Sequence, residues 1–404
     1  MTTRTTTTTT GAPVSPPAEE QQASGSLRDL LKYLLYLGTL GFGGPIALAG
    51  YMQRDLVERR GWISKKDYVD GLALAQLAPG PLAAQLAIYL GWSKGGLPGA
   101  TGAAAAFILP SFVMVFGLSA LYVRFGGLAW MQSAFYGIGA AVITIVARSA
   151  LKLVKMTLGK DRLLWVLFAT SAVATAWTES EIIWLFLASG VVALIVRSRR
   201  LPRIPIVALL PPGMLGALGL ATTAGAAVTW PLLAQIGLYF AEAGAFVFGS
   251  GLAIVPFLHG GVVNQHHWLT ERQFLDAVAI AMITPGPVVI TVAFIGYLVA
   301  GPLGSVFAAA GVFLPTYLFV VIPAPYFRRF ADNPRVRSFV DGVTAAATGA
   351  IAGAAFVLGR RALIDWKTVA IAVATWLAFT RVKKLPEPLV ILAAGLAGLI
   401  LRRP

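Results

Sequence analysis

Two stretches of this chain, LAPGPLAAQLAIYLG at 77–91 and ITPGPVVITVAFIGY at 283–297, set a glycine between two prolines inside apolar sequence. A helix cannot run through Pro-Gly-Pro, because each proline lacks an N–H and its ring clashes with the preceding turn. Of the 404 residues 57% are hydrophobic and only 12% are charged, and the mean hydropathy is +0.76. Soluble domains carry about a quarter charged residues, so the composition predicts an integral membrane protein. In lipid a broken helix leaves bare carbonyls, and it survives only where protein or water surrounds it. The breaks therefore predict an enclosed polar centre.

At about 20 residues per span, some thirteen hydrophobic segments can be counted. Six lie near 30–49, 70–92, 96–123, 131–153, 162–177 and 181–197, a seventh at 204–228, and six more near 233–255, 276–300, 303–327, 338–359, 365–380 and 386–402. The first and last six match. Phe42-Gly43 corresponds to Phe248-Gly249, Trp62 to Trp268, Asp70 to Asp276, and Pro79-Gly80-Pro81 to Pro285-Gly286-Pro287, all at an offset of 206. After a one-residue gap the offset is 205, pairing Leu109-Pro110-Ser111 with Leu314-Pro315-Thr316 and Gly137 with Gly342.

The expected organisation is a disordered, low-complexity tail at 1–26 with no signal peptide, a first repeat at 27–200, a connecting transmembrane helix at 201–230 and a second repeat at 231–404. An odd number of segments before the second copy inverts its orientation. The predicted fold class is an all-α polytopic membrane protein with an inverted-topology repeat and broken or re-entrant helices at the FGGP and PGP motifs, the pattern of secondary transporters. Reading segments one, two, eight and nine as re-entrant hairpins also moves the basic loop 50–67 to the cytoplasmic side, in keeping with the positive-inside rule.

Glycines let backbone approach a ligand, and half-helix N-termini present free N–H groups at a positive dipole end. The candidate anion site is therefore Phe42, Gly43, Gly44 and Pro45 with Pro79, Gly80 and Pro81 in one copy, and Gly249, Ser250 and Gly251 with Pro285, Gly286 and Pro287 in the other. Close helix packing is the alternative use of such glycines. Gln76, Gln85, Thr284 and Thr291 stand beside the breaks as polar candidates, or as caps of local carbonyls. Arg54 is the cation nearest the first break. Glu242 is the one acid in segment eight and a candidate for proton coupling or for pairing with an arginine. Asp70 and Asp276 open the two PGP segments, where N-capping explains them.

Several classes are excluded. The chain has no cysteine and three clustered histidines, so no metal centre is expected. The net charge of +15 fits topology-setting loops rather than nucleic-acid binding. There is no phosphate-binding loop, no nucleophile elbow and no soluble domain, so no cofactor is expected either. A membrane-embedded lipid-modifying enzyme would need a convergent acid–base pair, against which the lone Glu242 argues.

FGGP, the basic loop ending in Gly61-Trp62, the two PGP segments and Leu109-Pro110-Ser111 together resemble the chromate ion transporter family, in its long two-domain form, over about 28–402. The resemblance implies chromate export driven by membrane potential or proton gradient, a bacterial inner-membrane location, chromate resistance, and sulfate as a competitor or as the alternative substrate. A homodimer in the lipid bilayer is one expected assembly. Where the family commonly has a histidine three positions after FGGP, this chain has Leu48.

Overall fold

The computed structural model describes residues 25–42, 44–125, 129–178, 182–197, 229–246, 254–327, 333–382 and 385–401. The tail 1–24, the FGSG stretch, and 201–228 of the connecting segment lie outside the described residues, which are helices and turns throughout.

Each half begins with two pairs of short helices. In the first pair, α1 (Leu27–Leu40) leads to α2 (Gly44–Met52), which winds into a π-helical turn, Gln53–Arg59. The chain reverses at the Phe42 break: the Tyr33 hydroxyl donates to Asp55 Oδ2 at 3.2 Å, and these residues lie eleven positions to either side of Gly44. The second pair is α3 (Lys65–Leu77) and the first limb of α4 (Leu82–Phe125). Gly71 packs against the ring of Tyr89, each nine residues from Gly80, so this pair is also an antiparallel hairpin with PGP at its tip. At about 1.5 Å per residue a 13-residue arm is about 20 Å long, too short to cross a bilayer. At Gly95 and Gly96, the latter at φ 58°, α4 turns back on itself and Gly91 meets Gly99 and Ala103.

Three helices complete the half: α5 (Ala129–Thr157), α6 (Arg162–Thr178) and α7 (Ile183–Arg197). The second half repeats the order. It comprises α8 (Trp230–Phe246), α9 (Ile254–His259) with its own π-helical turn at Gly260–Gln265, α10 (Glu271–Ile283), α11 (Thr291–Val321), α12 (Pro334–Ala362), α13 (Trp366–Arg381) and α14 (Glu387–Leu401). The bounds of α3 and α10 differ by 206, those of α5 and α12 by 205, and those of α7 and α14 by 204. The backbone turns at Gly96 and Gly301 match as well, at φ 58° and 60°.

The N-caps correct one expectation. Ser64 caps α3 and Thr270 caps α10, each hydroxyl accepting the N–H three residues on. Asp70 and Asp276 lie six residues inside, so neither is a cap. The polar residue that satisfies the first turn simply comes earlier than the apolar run suggests.

The halves exchange helices. In the first half α5 packs on α13 and α14, and in the second α12 packs on α6 and α7. Gly137 sits against the Ala394 carbonyl and Gly398, and its counterpart Gly342 against the Ser189 carbonyl and Ala193. This close backbone contact is what small residues permit between membrane helices. Arg197 bonds Asp161 at 2.5 Å and Asp341 at 2.6 Å, and at the matching place the Tyr136 hydroxyl bonds Asp365. Among the described residues four helices are long and apolar enough to cross a membrane: Leu82–Phe125, Trp130–Lys155, Val288–Val321 and Pro334–Ala362.

Candidate functional site

Both PGP tips follow from local rules. The residues before the first prolines, Ala78 (ψ 142°) and Thr284 (ψ 139°), are extended, as a following proline requires. Gly80 then takes φ 134° and Gly286 φ 100°, a region open to glycine. Beyond each tip a new helix begins, and its first N–H groups have no partner within the helix.

The tip of the second half reaches the first half. The Gly286 N–H donates to the Gly41 carbonyl at 3.0 Å, joining the PGP turn to the break after α1. Ser111, on the long limb of α4, is fully buried, and its hydroxyl donates to the carbonyls of Pro285 at 2.8 Å and Gly38 at 3.2 Å. A Cβ on Gly286 would collide with that hydroxyl. The reciprocal contact differs in chemistry. Thr316, matched to Ser111, turns its methyl toward Gly80 and gives its hydroxyl to the Val312 carbonyl of its own helix at 2.9 Å.

Gln85 is 0% exposed and donates through Nε2 to the Pro79 carbonyl at 2.6 Å, closing the end of α3. Only the NH2 end can donate to a carbonyl, so Oε1 is left as a buried acceptor, and it has no partner. Thr284 bonds the carbonyls of Ile280 and Ala281, and Thr291 that of Val288, so both hydroxyls serve local backbone. Gln76 is exposed on α3. Phe42, Pro45 and Pro79 are half-buried, while Pro81, Pro285 and Pro287 are buried. Gly43, Gly249, Ser250 and Gly251 fall outside the described residues. Leu48 is buried with its side chain against Gly41, the residue whose carbonyl receives Gly286.

Arg54 lies beyond α2 and is committed to its neighbour: Nε and Nη2 bond Asp55 at 2.9 and 3.2 Å, and its guanidinium stands over Tyr51. Hydrogen bonding by Arg54 holds the Asp55 carboxyl below the usual carboxylate range. Arg60 lies over Trp62 at 4.5 Å, and its counterpart His266 stacks on Trp268 at the same distance. Glu242, half-buried on α8, has no hydrogen bond or ion pair among the described residues.

In the sequence Ser111 marks the duplication and the family resemblance, but it is not among the candidate site residues. Its recurrence at a fixed offset beside a proline was a usable signal, because a hydroxyl held among apolar neighbours needs a partner. Nothing in the sequence marked Tyr122 or the ion network described below.

A family model described as chromate transporter matches residues 28–194 and again 234–399. The chain belongs to the chromate transporter family. It is 57% identical to the chromate transport protein of Cupriavidus metallidurans, over 93% of each chain. It is 53% identical to the probable chromate transport protein of Synechococcus elongatus, over 93% of this chain and 95% of that one. To the chromate transport protein of Pseudomonas aeruginosa it is 35% identical, over 92% of each. No solved structure matches it.

Proposed function

We propose that the protein is a chromate carrier of the bacterial inner membrane, and not an enzyme, that exports chromate from the cytoplasm and so confers resistance. The reading is supported by the family and by one geometric observation: the PGP tip of one half hydrogen-bonds the first break of the other. The proposed organisation is two inverted repeats, 27–200 and 231–404, joined by a transmembrane helix at 201–230 after a disordered tail. Short hairpins enter from each side as re-entrant elements.

In this reading the two FGG-type breaks and the two PGP tips line an anion site, with Phe42, Gly43, Gly44 and Pro45 facing Pro285, Gly286 and Pro287 across the halves. Gln76, Gln85, Thr284, Thr291 and Ser250 supply the polar surroundings, and Arg54 attracts anions at the cytoplasmic face. Backbone N–H groups suit a tetrahedral dianion that must also be released, because they bind without a fixed cluster of lysines. A negative-inside potential favours outward movement by about 2.3 kcal/mol per charge per 100 mV, and alternating access arises from rocking of the halves about the tips. Glu242 is a candidate for coupling to protons. A homodimer in the bilayer is the proposed assembly, testable by the mass of the detergent-extracted protein.

The test is uptake of labelled chromate into inverted membrane vesicles, with and without a membrane potential and with excess sulfate. Potential-dependent chromate uptake is expected. Sulfate uptake without chromate uptake would turn the reading to a carrier of another oxyanion.

A further inference from the structure

A cavity of about 230 Å³ lies between the end of α4, the start of α5 and the first turns of α10, away from the hairpin tips. Thr270 and Arg272, both exposed, form its rim, with Met131, Gln132, Phe135 and Gln273 along its walls. Asp276 forms its floor and is 4% exposed. Its hydrogen-bond partner among the described residues is a single hydroxyl: Tyr122, at the far end of α4, donates to Asp276 Oδ2 at 2.7 Å. The Tyr122 ring is itself held edge-on by Phe135 and Phe294.

Among the described residues, the charged groups around Asp276 leave it without a counter-ion in contact. On α10, Arg272 is one turn away but gives its guanidinium to the Gln132 carbonyl at 3.0 Å and to the Gln132 side chain at 3.4 Å. Glu271 is held by His259 and Arg361. Beside the cavity α5 contributes Gln132, Met131 and Phe135, α11 carries no charged residue, and the acid of α14, Glu387, lies near Arg148 and Lys152 of α5. A withdrawn carboxyl of this kind, reachable from a cavity and bonded by a neutral hydroxyl, is suited to carry a proton.

Its position gives that proton a consequence. The long limb of α4 belongs to the first half, and it is tied to the PGP hairpin of the second half at two points. Ser111 bonds Pro285 at the tip, and Tyr122 bonds Asp276 nearer the base. A hydrogen bond to a carboxylate is about twice as strong as one to a neutral group. At the matched position Phe327 stands where Tyr122 does, with no hydroxyl to offer Asp70.

We infer that this cavity is a proton-binding site, with Asp276 as the acceptor, and that loading it loosens the first half's α4 from the second half's hairpin. Protonation adds H⁺ to the carboxylate and turns the charge-assisted bond from Tyr122 into a neutral one. Loss of the proton to the cavity restores it. This inference rests on the carrier reading, and it assigns the action of a proton gradient to Asp276 in place of Glu242.

The experiment uses the full chain in proteoliposomes and has two readouts. The first is the infrared band of protonated carboxyls, followed through a pH titration without substrate. The wild-type chain should show a titrating buried carboxyl that disappears in Asp276→Asn and persists in Asp70→Asn and Glu242→Gln. Tyr122→Phe removes a bond to the charged form, so it should move the midpoint upward by about one pH unit. The second is chromate uptake under an imposed pH gradient or an imposed potential. Asp276→Asn should lose its response to the pH gradient and keep its response to the potential. An infrared titration unchanged by Asp276→Asn overturns the inference, as does a normal pH-gradient response in that variant. Absence of chromate uptake in the wild type would instead overturn the carrier reading, while the infrared titration would still decide whether Asp276 holds the proton.

Discussion

At the scale of single residues, one hydroxyl helps to join the halves at the PGP tip. Ser111 satisfies two buried carbonyls that belong to different halves. Removing one partner of a buried hydrogen bond leaves a desolvated group and costs about 1–3 kcal/mol. Ser111→Ala should therefore lower the thermal melting temperature in detergent and weaken transport. Thr316→Val keeps the shape that faces Gly80 and removes a bond made only within its own helix, so it should melt close to wild type. Equal effects from the two substitutions would mean that Ser111 does not join the halves. The sequence marked these positions as a repeated pair, but not that one sends its hydroxyl across the interface while the other sends a methyl. Serine and threonine both can bond the carbonyl four residues back, and only the neighbouring chain decides between the options.

At the scale of elements, the hairpins were largely legible. Proline chemistry fixed the PGP breaks, and the short apolar runs on either side were too brief to span. The π-helical turns after α2 and α9 were not legible, because their residues pattern as ordinary helix. Nor was the network that anchors the second PGP hairpin, since its members lie far apart in the chain. His259, 3% exposed at the end of α9, bonds both carboxyl oxygens of Glu271 at 2.9 Å, and Arg361 at the end of α12 bonds Glu271 Oε2 at 2.8 Å. Burial pushes the Glu271 carboxyl up, but the hydrogen bonds and charges of His259 and Arg361 outweigh it and hold the group below its ordinary value. A carboxyl depressed in the folded state stabilises above its unfolded pKa of about 4.3, and that contribution is lost as pH falls through the lower folded value. Glu271→Gln should therefore melt lower than wild type at neutral pH, with the gap narrowing below about pH 4. A gap that is constant with pH would show that packing, not charge, holds the element.

At the scale of the whole molecule, the duplication was readable from six matches in order, and the bounds of α3 and α10 and of α5 and α12 follow the same offsets of 206 and 205. The exchange of α5 and α12 between halves was hidden, because Gly137 and Gly342 recur without naming the helices they touch. That exchange makes each half incomplete alone, so a movement of one hairpin is felt in the other half. The chromate reading depends on the tips being the place where the anion passes. Gly286 tests this most directly, since a side chain there must displace the Ser111 hydroxyl and adopt a backbone conformation that costs about 1–3 kcal/mol. Gly117, with open space where its Cβ would lie, is the control, on the α4 limb that carries Ser111. Chromate uptake should be measured in inverted vesicles that hold equal amounts of wild type, Gly286→Val and Gly117→Val. Loss of uptake in Gly286→Val, with normal uptake in Gly117→Val, is the predicted result. Normal uptake in Gly286→Val would contradict a transport site at the meeting point of the tips.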